Sequence, residues 1–379
     1  MRAWRRAFHR EPELANQEHR TRRKIIAALR QLRIPYRTFD GSTGVVGLVG
    51  GERSGPVVAL RADMDALPVT EATSLPYRSR YPGRMHACGH DVHMSCLLGA
   101  AAMLQRARAS LGGPVKLVFQ PAEEEGQTGG AQPLLERGAF DDPPVDFVVG
   151  QHVAAEIPLG SIGWRRGAFM AAADHFVLTV HGTGGHAAFP LGGPDAIAVA
   201  SEVVRGLLSL VSGARDPLDP VVISVGSIHG GTRHNIIPDD VRIEGTVRTL
   251  RGSTRRDIER RVRRRVRHLA ESLGASVDIE YRRGYPVTVN SARATDRVVA
   301  ALAAELGAEH LVELERPVMG SEDFSRYLER VPGTFLFLGV GRPETRTTSP
   351  HSSRFAPPDP ALATGATVLA TAAAGLQAA

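Results

Sequence analysis

Thiol, imidazole and carboxylate side chains gather at five places in this chain. They are Asp63-Met64-Asp65, His86-Ala87-Cys88-Gly89-His90-Asp91-Val92-His93, Gln120-Pro121-Ala122-Glu123-Glu124-Glu125, Gly150-Gln151-His152 and Ser349-Pro350-His351-Ser352. A thiolate with several imidazoles and carboxylates suits a borderline transition ion such as Zn²⁺, Mn²⁺, Co²⁺ or Ni²⁺. Cys88 and His90 lie two apart, so in an extended loop they project to the same side. Glu123 and Glu124 are neighbours and project to opposite sides. One can bind metal while the other meets the attacking water as general base. The remaining candidates have plainer readings. Cys96 lies among Leu97 and Leu98 as a core residue, Asp91 reads as a helix cap, His93 as a surface residue and Glu125 as solvated.

These clusters need elements to hold them. Apolar runs predict strands at Val45–Val49, Val57–Ala62, Val115–Phe119, Phe147–Val149 and Thr334–Val340. Helical spacing predicts helices at Thr21–Leu32, Val92–Ala107, Gln132–Arg137, Asp323–Glu329 and Pro360–Leu376. Short apolar strands between helices predict an α/β fold with a largely parallel sheet covered on both faces. Four clusters follow strands, the edge where such sheets bind ligands. The middle reads differently: strands at His175–Val180, Val221–Ile228, Val241–Leu250 and Val277–Tyr281, helices at Asp195–Ser212 and Thr254–Leu273. That β-α-β-β-α-β order is ferredoxin-like. The expected organisation is a discontinuous catalytic, metal-binding α/β domain, residues 1–170 and 286–379, with an inserted lid domain, residues 171–285.

Bulk properties remove other classes. The 379 residues are 42% hydrophobic and 23% charged, ordinary for two globular domains. No apolar run is long enough to cross a bilayer, and Met1-Arg2-Ala3-Trp4-Arg5-Arg6 does not lead into a signal peptide. No membrane partner is expected, and the cytoplasm is the expected location. Two cysteines cannot staple a fold this large, so reduced thiols are expected. The net charge of +6 raises nucleic acid as a partner. The densest basic run, Arg260 to Arg267, interleaves with Ile258, Val262, Val266, Leu269 and Leu273 at helical spacing and has no aromatic cluster beside it. It reads as the solvated face of an amphipathic helix, and no nucleic acid is expected. Gly182-Thr183-Gly184-Gly185-His186-Ala187 fits a dinucleotide fingerprint, the remote alternative of an NAD-binding oxidoreductase. Pro190, Gly192, Gly193 and Pro194 break the helix that motif requires. Neither G-x-S-x-G nor H-E-x-x-H occurs.

Seven segments carry a family resemblance in unbroken order. They are Phe8-His9-Arg10-Glu11-Pro12-Glu13-Leu14, Arg61 to Pro68, Met85 to Asp91, Phe119 to Glu124, Gly184 to Ala188, His234 to Asp239, and Gly320-Ser321-Glu322-Asp323-Phe324. The chain resembles the amidohydrolase branch of the aminoacylase and carboxypeptidase clan, which includes hippurate hydrolases, indoleacetyl-amino acid hydrolases and N-acyl-amino acid deacylases.

The resemblance implies two divalent metal ions per chain, Mn²⁺ or Zn²⁺ with Co²⁺ or Ni²⁺ also suitable, held by Cys88, His90, Glu124, His152 and His351. It implies Glu123 as general base and Asp65 orienting a ligand. Asp63 stands where the wider clan places a metal-binding histidine, and Cys88 compensates. Which group bridges the ions stays open. The implied reaction cleaves N-acyl amino acids to a carboxylic acid and a free amino acid, with a dipeptidase or carboxypeptidase as the alternative. His186, in the insert, would hold the developing oxyanion, and Asn235 and Arg248 would meet the substrate carboxylate. The insert of this family often mediates dimerisation, so a homodimer is expected. Met94 after His93, and Arg233-His234 before Asn235, depart from the pattern and bear on pocket shape.

Overall fold

Val58–Asp63 and Val115–Gln120 pair in parallel with every side chain buried. Around this pair the computed structural model builds two compact units, and it describes residues 1–190, 192–211, 219–342 and 348–378. The first unit comprises Met1–Phe169, Thr288–Arg316 and Asp323–Ala379, the second Met170–Val287 and Pro317–Glu322. The predicted end of one helix at Ser212 lies outside the described residues. Among the described residues, no helix is long and apolar enough to cross a membrane.

The first unit holds an eight-stranded sheet. Its order is Tyr36–Thr38, Val45–Val49, Val115–Gln120, Val58–Asp63, Phe147–Pro158, Gly333–Gly341, Ile162–Trp164, Leu311–Glu313. The centre is parallel, from Val115–Gln120 to Gly333–Gly341, and so is the edge pair Ile162–Trp164 with Leu311–Glu313. Val45–Val49 runs antiparallel to Val115–Gln120, and Ile162–Trp164 antiparallel to Gly333–Gly341. The expected parallel sheet is therefore mixed. The 50–57 link after Val45–Val49 is too short for the helical crossover that a parallel return needs.

Helices His90–Arg106 and Ala361–Gln377 pack on each other and on this sheet. Small residues allow the approach: a Cβ on Gly99 would stand 2.8 Å from the Ala366 Cβ, and one on Gly365 2.6 Å from the Cys96 Sγ. Cys96 is buried there, as expected.

The second unit is a four-stranded antiparallel sheet, ordered Val221–Gly230, Asp240–Thr249, Ala172–His181, Ser276–Arg283. Helices Ala196–Ser209 and Gly252–Ser272 cover one face. Along Ala172–His181 burial alternates residue by residue, as one covered face demands. On Gly252–Ser272 the buried stripe is Ile258, Val262, Val266 and Ala270. The expected apolar stripe ended at Leu273, but that residue lies past the helix end and is exposed. Arg264, Arg265 and Arg267 face solvent.

Two helices are missing from the sequence reading, Arg2–His9 and Ala292–Leu306, although the second buries Ala294, Val298 and Leu302 at helical spacing. The first is held by buried charge. Arg5 Nε donates to Asp91 Oδ2 at 3.1 Å, and His9 Nδ1 meets the same oxygen at 2.9 Å. His9 Nε2 lies 3.1 Å from Glu71 Oε1. Asp91 thus serves Arg5 and His9 rather than capping its helix. Burial works against a charged His9, but Asp91 and Glu71 outweigh it and raise its pKa to about 9. The folded value lies above the unfolded one, so this contribution is complete below about pH 6.5 and is lost as pH rises through about 9. The stability gap between the wild type and His9→Asn should therefore narrow by up to about 3 kcal/mol between pH 6 and pH 9.5. Thermal unfolding across that range checks it; a gap independent of pH would show that His9 is neutral in the fold.

Candidate metal centre

Asp65, just past the Val58–Asp63 strand, organises the site. Its carboxylate accepts the backbone N–H of Glu123 at 3.1 Å and of Glu124 at 2.9 Å. Its peptide oxygen accepts His90 Nδ1–H at 2.8 Å. His90 is thereby held with Nε2 as the nitrogen left to bind a proton or a metal ion. That atom is buried and has no hydrogen-bond partner, with Asp63 Oδ2 at 3.8 Å and Glu124 Oε1 at 3.9 Å. Ala122, at φ 56°, turns the chain from Gln120 into the short helical turn Glu123–Glu125. The adjacent carboxylates do not project to opposite sides as an extended segment would require: in this turn both bring an oxygen within 4.8 Å of a His90 nitrogen and of each other.

Gly89 sits between Cys88 and His90 at φ 87°, where a Cβ would come within 2.6 Å of Val153 Cγ2. Glycine is required on both counts. Cys88 Sγ lies 3.2 Å from His152 Nε2. His152 Nδ1–H donates to the Val153 carbonyl at 2.8 Å, leaving Nε2 as an acceptor. His351, at φ 70°, donates its N–H to the Ala87 carbonyl at 2.8 Å and brings Nε2 to 3.4 Å from Glu124 Oε1.

The donor atoms fall into sets whose members all lie within 4.8 Å of one another: Cys88, His90 and His152; Cys88, Glu124 and His351; His90, Glu123 and Glu124. Atoms bound to one ion at ~2.0–2.3 Å in tetrahedral array stand about 3.3–3.8 Å apart. The sets converge on that scale, and Cys88 belongs to two of them. A buried imidazole nitrogen without a partner, beside a thiol and carboxylates, is satisfied by a divalent cation. The electrostatics agree. Burial, then Glu124, Glu123 and Asp63, push the Cys88 thiol well above its ordinary pKa, a penalty that a cation reverses. Burial and His93 push His152 down to about 3, keeping its lone pair available. Burial opposes charge on His90, yet Asp63 and Asp65 outweigh it and raise it to about 10, so this locus favours positive charge, and a divalent ion at Nε2 would take the place of the proton there.

His93 is not a surface residue. It is buried with both nitrogens engaged: Nε2 accepts Val153 N–H at 3.0 Å, and Nδ1–H donates to Asp63 Oδ1 at 2.7 Å. Asp63 in turn accepts Arg61 Nη1–H at 2.6 Å. Glu125, read as solvated, accepts the N–H groups of Thr128 and Gly129 at 2.8 and 3.0 Å.

Two supports have no sequence signal of their own. Buried Glu18 accepts Ala122 N–H at 3.0 Å and the Thr43 hydroxyl at 2.6 Å, bracing the strained residue before Glu123. Asp323, quoted within a motif but given no role, accepts from Arg61 Nη2, Gln120 Nε2 and the N–H groups of Gly130 and Ala131.

The other sequence-predicted residues lie in the second unit. Gly185–His186 forms a ribbon with Ile236–Ile237, not the start of a dinucleotide-binding helix. The exposed His186 accepts Ala188 N–H at Nδ1, 3.1 Å, which leaves Nε2 as the protonated donor. Asn235 is exposed, and its carbonyl accepts Ala187 N–H at 3.1 Å. Arg248 is half-buried, donating to Ser321 Oγ at 2.6 Å.

Residues 59–375 match the sequence profile of peptidase family M20/M25/M40. The thermostable carboxypeptidase 1 of Saccharolobus solfataricus is 40% identical over 365 residues, covering 96% of this chain and 91% of that protein. The N-acetyl-L-cysteine deacetylase of Bacillus subtilis is 39% identical over 340 residues, covering 89% and 79%. The crystal structure of the Bacillus subtilis YXEP protein, described as a dinuclear metal binding peptidase of the M20 family, aligns with a TM-score of 0.84 at 33% identity over 98% of this chain and 96% of that one. A thiol, imidazoles and carboxylates brought together at the end of a mixed sheet, in a chain matched over nearly its whole length, make this protein a hydrolase of peptidase family M20/M25/M40.

Proposed function

We propose that the chain is a dinuclear metal-dependent amidohydrolase that cleaves the amide bond of N-acyl amino acids. The observation that carries this reading is the membership of Cys88 in two donor sets, with Glu123 beside them. Cys88, His90 and His152 would hold one ion and Cys88, Glu124 and His351 the other, with Cys88 common to the two sets. The mixed sulfur, nitrogen and oxygen donors suit Mn²⁺ or Zn²⁺, with Co²⁺ or Ni²⁺ as substitutes. When bound, the ions supply Lewis acidity to water and to the scissile carbonyl.

Glu123 takes the proton of the attacking water and passes it to the leaving nitrogen. Its backbone is fixed by Asp65, so its position does not depend on substrate. His186, with a proton on Nε2, donates to the developing oxyanion. Asn235 and Arg248 recognise the free carboxylate of the substrate. The similarity to an N-acetyl-L-cysteine deacetylase supports an acylated amino acid as substrate. The similarity to a carboxypeptidase favours a second reading, in which the same site cleaves a peptide from its carboxyl end. Residues 171–285 as a ferredoxin-like lid that also joins a homodimer, and a cytoplasmic location consistent with two free thiols, complete the proposal.

Metal analysis should find about two divalent ions per chain, with strong chelation abolishing turnover. Glu123→Gln should keep metal and lower kcat at least about a hundredfold, the scale of general-base loss, whereas Glu124→Gln should weaken metal binding itself. Reversed phenotypes would overturn the division of roles. His186→Ala should lower kcat about ten- to a thousandfold with metal content unchanged. An unaltered kcat would make it a structural residue of the ribbon. For the substrate, N-acetyl and N-benzoyl amino acids should be hydrolysed far better than their carboxamides, since the amide leaves a cation without its partner. Equal kcat/KM for acid and amide would refute carboxylate recognition.

A further inference from the structure

The donors that share Cys88 come from segments far apart in sequence. Cys88 and His90 sit at the start of helix His90–Arg106, and His351 lies in the loop that precedes helix Ala361–Gln377. Two ions with a common thiolate tolerate little change in the separation of these segments. One backbone bond, His351 N–H to the Ala87 carbonyl, joins them directly.

A side chain from neither segment joins them again. The Arg5 guanidinium is fully buried. Its Nε donates to Asp91 Oδ2 at 3.1 Å, beside His90. Its Nη1 donates to Asp359 Oδ1 at 2.7 Å and its Nη2 to the Pro357 carbonyl at 2.6 Å, both in the segment that carries His351. Asp91 is pinned further, because His9 meets the same oxygen and Ser95 Oγ donates to the Asp91 carbonyl at 2.7 Å. A buried ion pair is weak as a source of stability, since apolar residues of equal volume often replace it without loss. The planar, multidentate fork of arginine does something an apolar residue cannot: it sets the relative position of three acceptors at once.

We propose that Arg5 is a positioning residue that sets the spacing between the His90 and His351 segments, so that one thiolate can serve two ions. The inference rests on the two-ion reading above. It predicts that loosening the fork weakens one ion selectively.

The test uses metal-loaded full-length protein, competitive chelator titration, and the visible spectrum of the Co²⁺-substituted form. Arg5→Lys keeps the charge and loses the fork. Asp359→Asn weakens one arm of the fork, together with the more exposed pairs to Arg2 and Arg6, at a position 19% exposed, and carries the test should Arg5→Lys not fold. Both should weaken one of two ions about ten- to a hundredfold, the scale seen when residues behind metal ligands are changed, and alter the Co²⁺ bands. Phe8→Ala is the control: Phe8 is buried in the same helix and supplies no side-chain hydrogen bond, so it should lower Tm while leaving both affinities and the spectrum unchanged. Two ions of undiminished affinity in Asp359→Asn and in a folded Arg5→Lys would overturn the inference alone, as would equal weakening in Phe8→Ala. A wild-type chain holding fewer than two ions would overturn the two-ion reading and this inference with it.

Discussion

Asp65 accepts hydrogen bonds from three groups on two different loops, and the rest of the centre takes its orientation from them. Its peptide oxygen selects the His90 tautomer, and its carboxylate fixes the peptides of Glu123 and Glu124. Because a carboxylate held by backbone amides stays put without a ligand, the peptides of the two acidic residues are fixed and both carboxylates reach the same donor cluster. Replace the Asp65 carboxylate by an apolar side chain and the Glu123 and Glu124 peptides lose their acceptor, while the bond from His90 to the peptide oxygen remains. The tension this creates is visible in Ala122, whose left-handed backbone persists only because Glu18 and Asp65 hold the peptides on either side of it.

Behind this sits a layer of buried charge. Arg61 reaches Gln120, Asp63 and Asp323, Asp63 reaches His93, and His93 accepts from Val153 beside His152. Each of these groups would be expensive to bury alone, several kcal/mol for an unpaired ion. Linked, they are mutually satisfied and rigid, and they keep His93 neutral with both nitrogens occupied. That is why the Asp63, His90 and His93 grouping, close as it is, does not offer three free donors, whereas the groupings through Cys88 do.

The second unit obeys a simpler rule. One face of its sheet is covered by two helices and the other is polar, so its strands alternate cleanly. The arginine-rich helix Gly252–Ser272 shows how composition misleads. Its charge is the solvated side of an ordinary amphipathic helix, with Arg255 turned inward to a buried pair with Asp174.

The sequence by itself determined which residue types could bind metal, their approximate strand and helix settings, and the family they resemble. Val45–Val49 and its central neighbours are legible because burial on both faces forces continuous apolar runs, and Ile258, Val262 and Val266 because a helix against a sheet forces a period near four. Tertiary structure alone decided the rest. Which nitrogen of His90 or His93 is free depends on hydrogen bonds to Asp65, Asp63 and Val153, tens of residues away in sequence. The direction of Val45–Val49 depends on a link too short to cross over, and helix Arg2–His9 on acceptors at Glu71, Asp91, Pro357 and Asp359, all distant in sequence. Hydrophobic periodicity is local and can be read from neighbours in sequence. Directional pairing of buried polar atoms is not, because each partner comes from a different segment and exists only once the chain has closed.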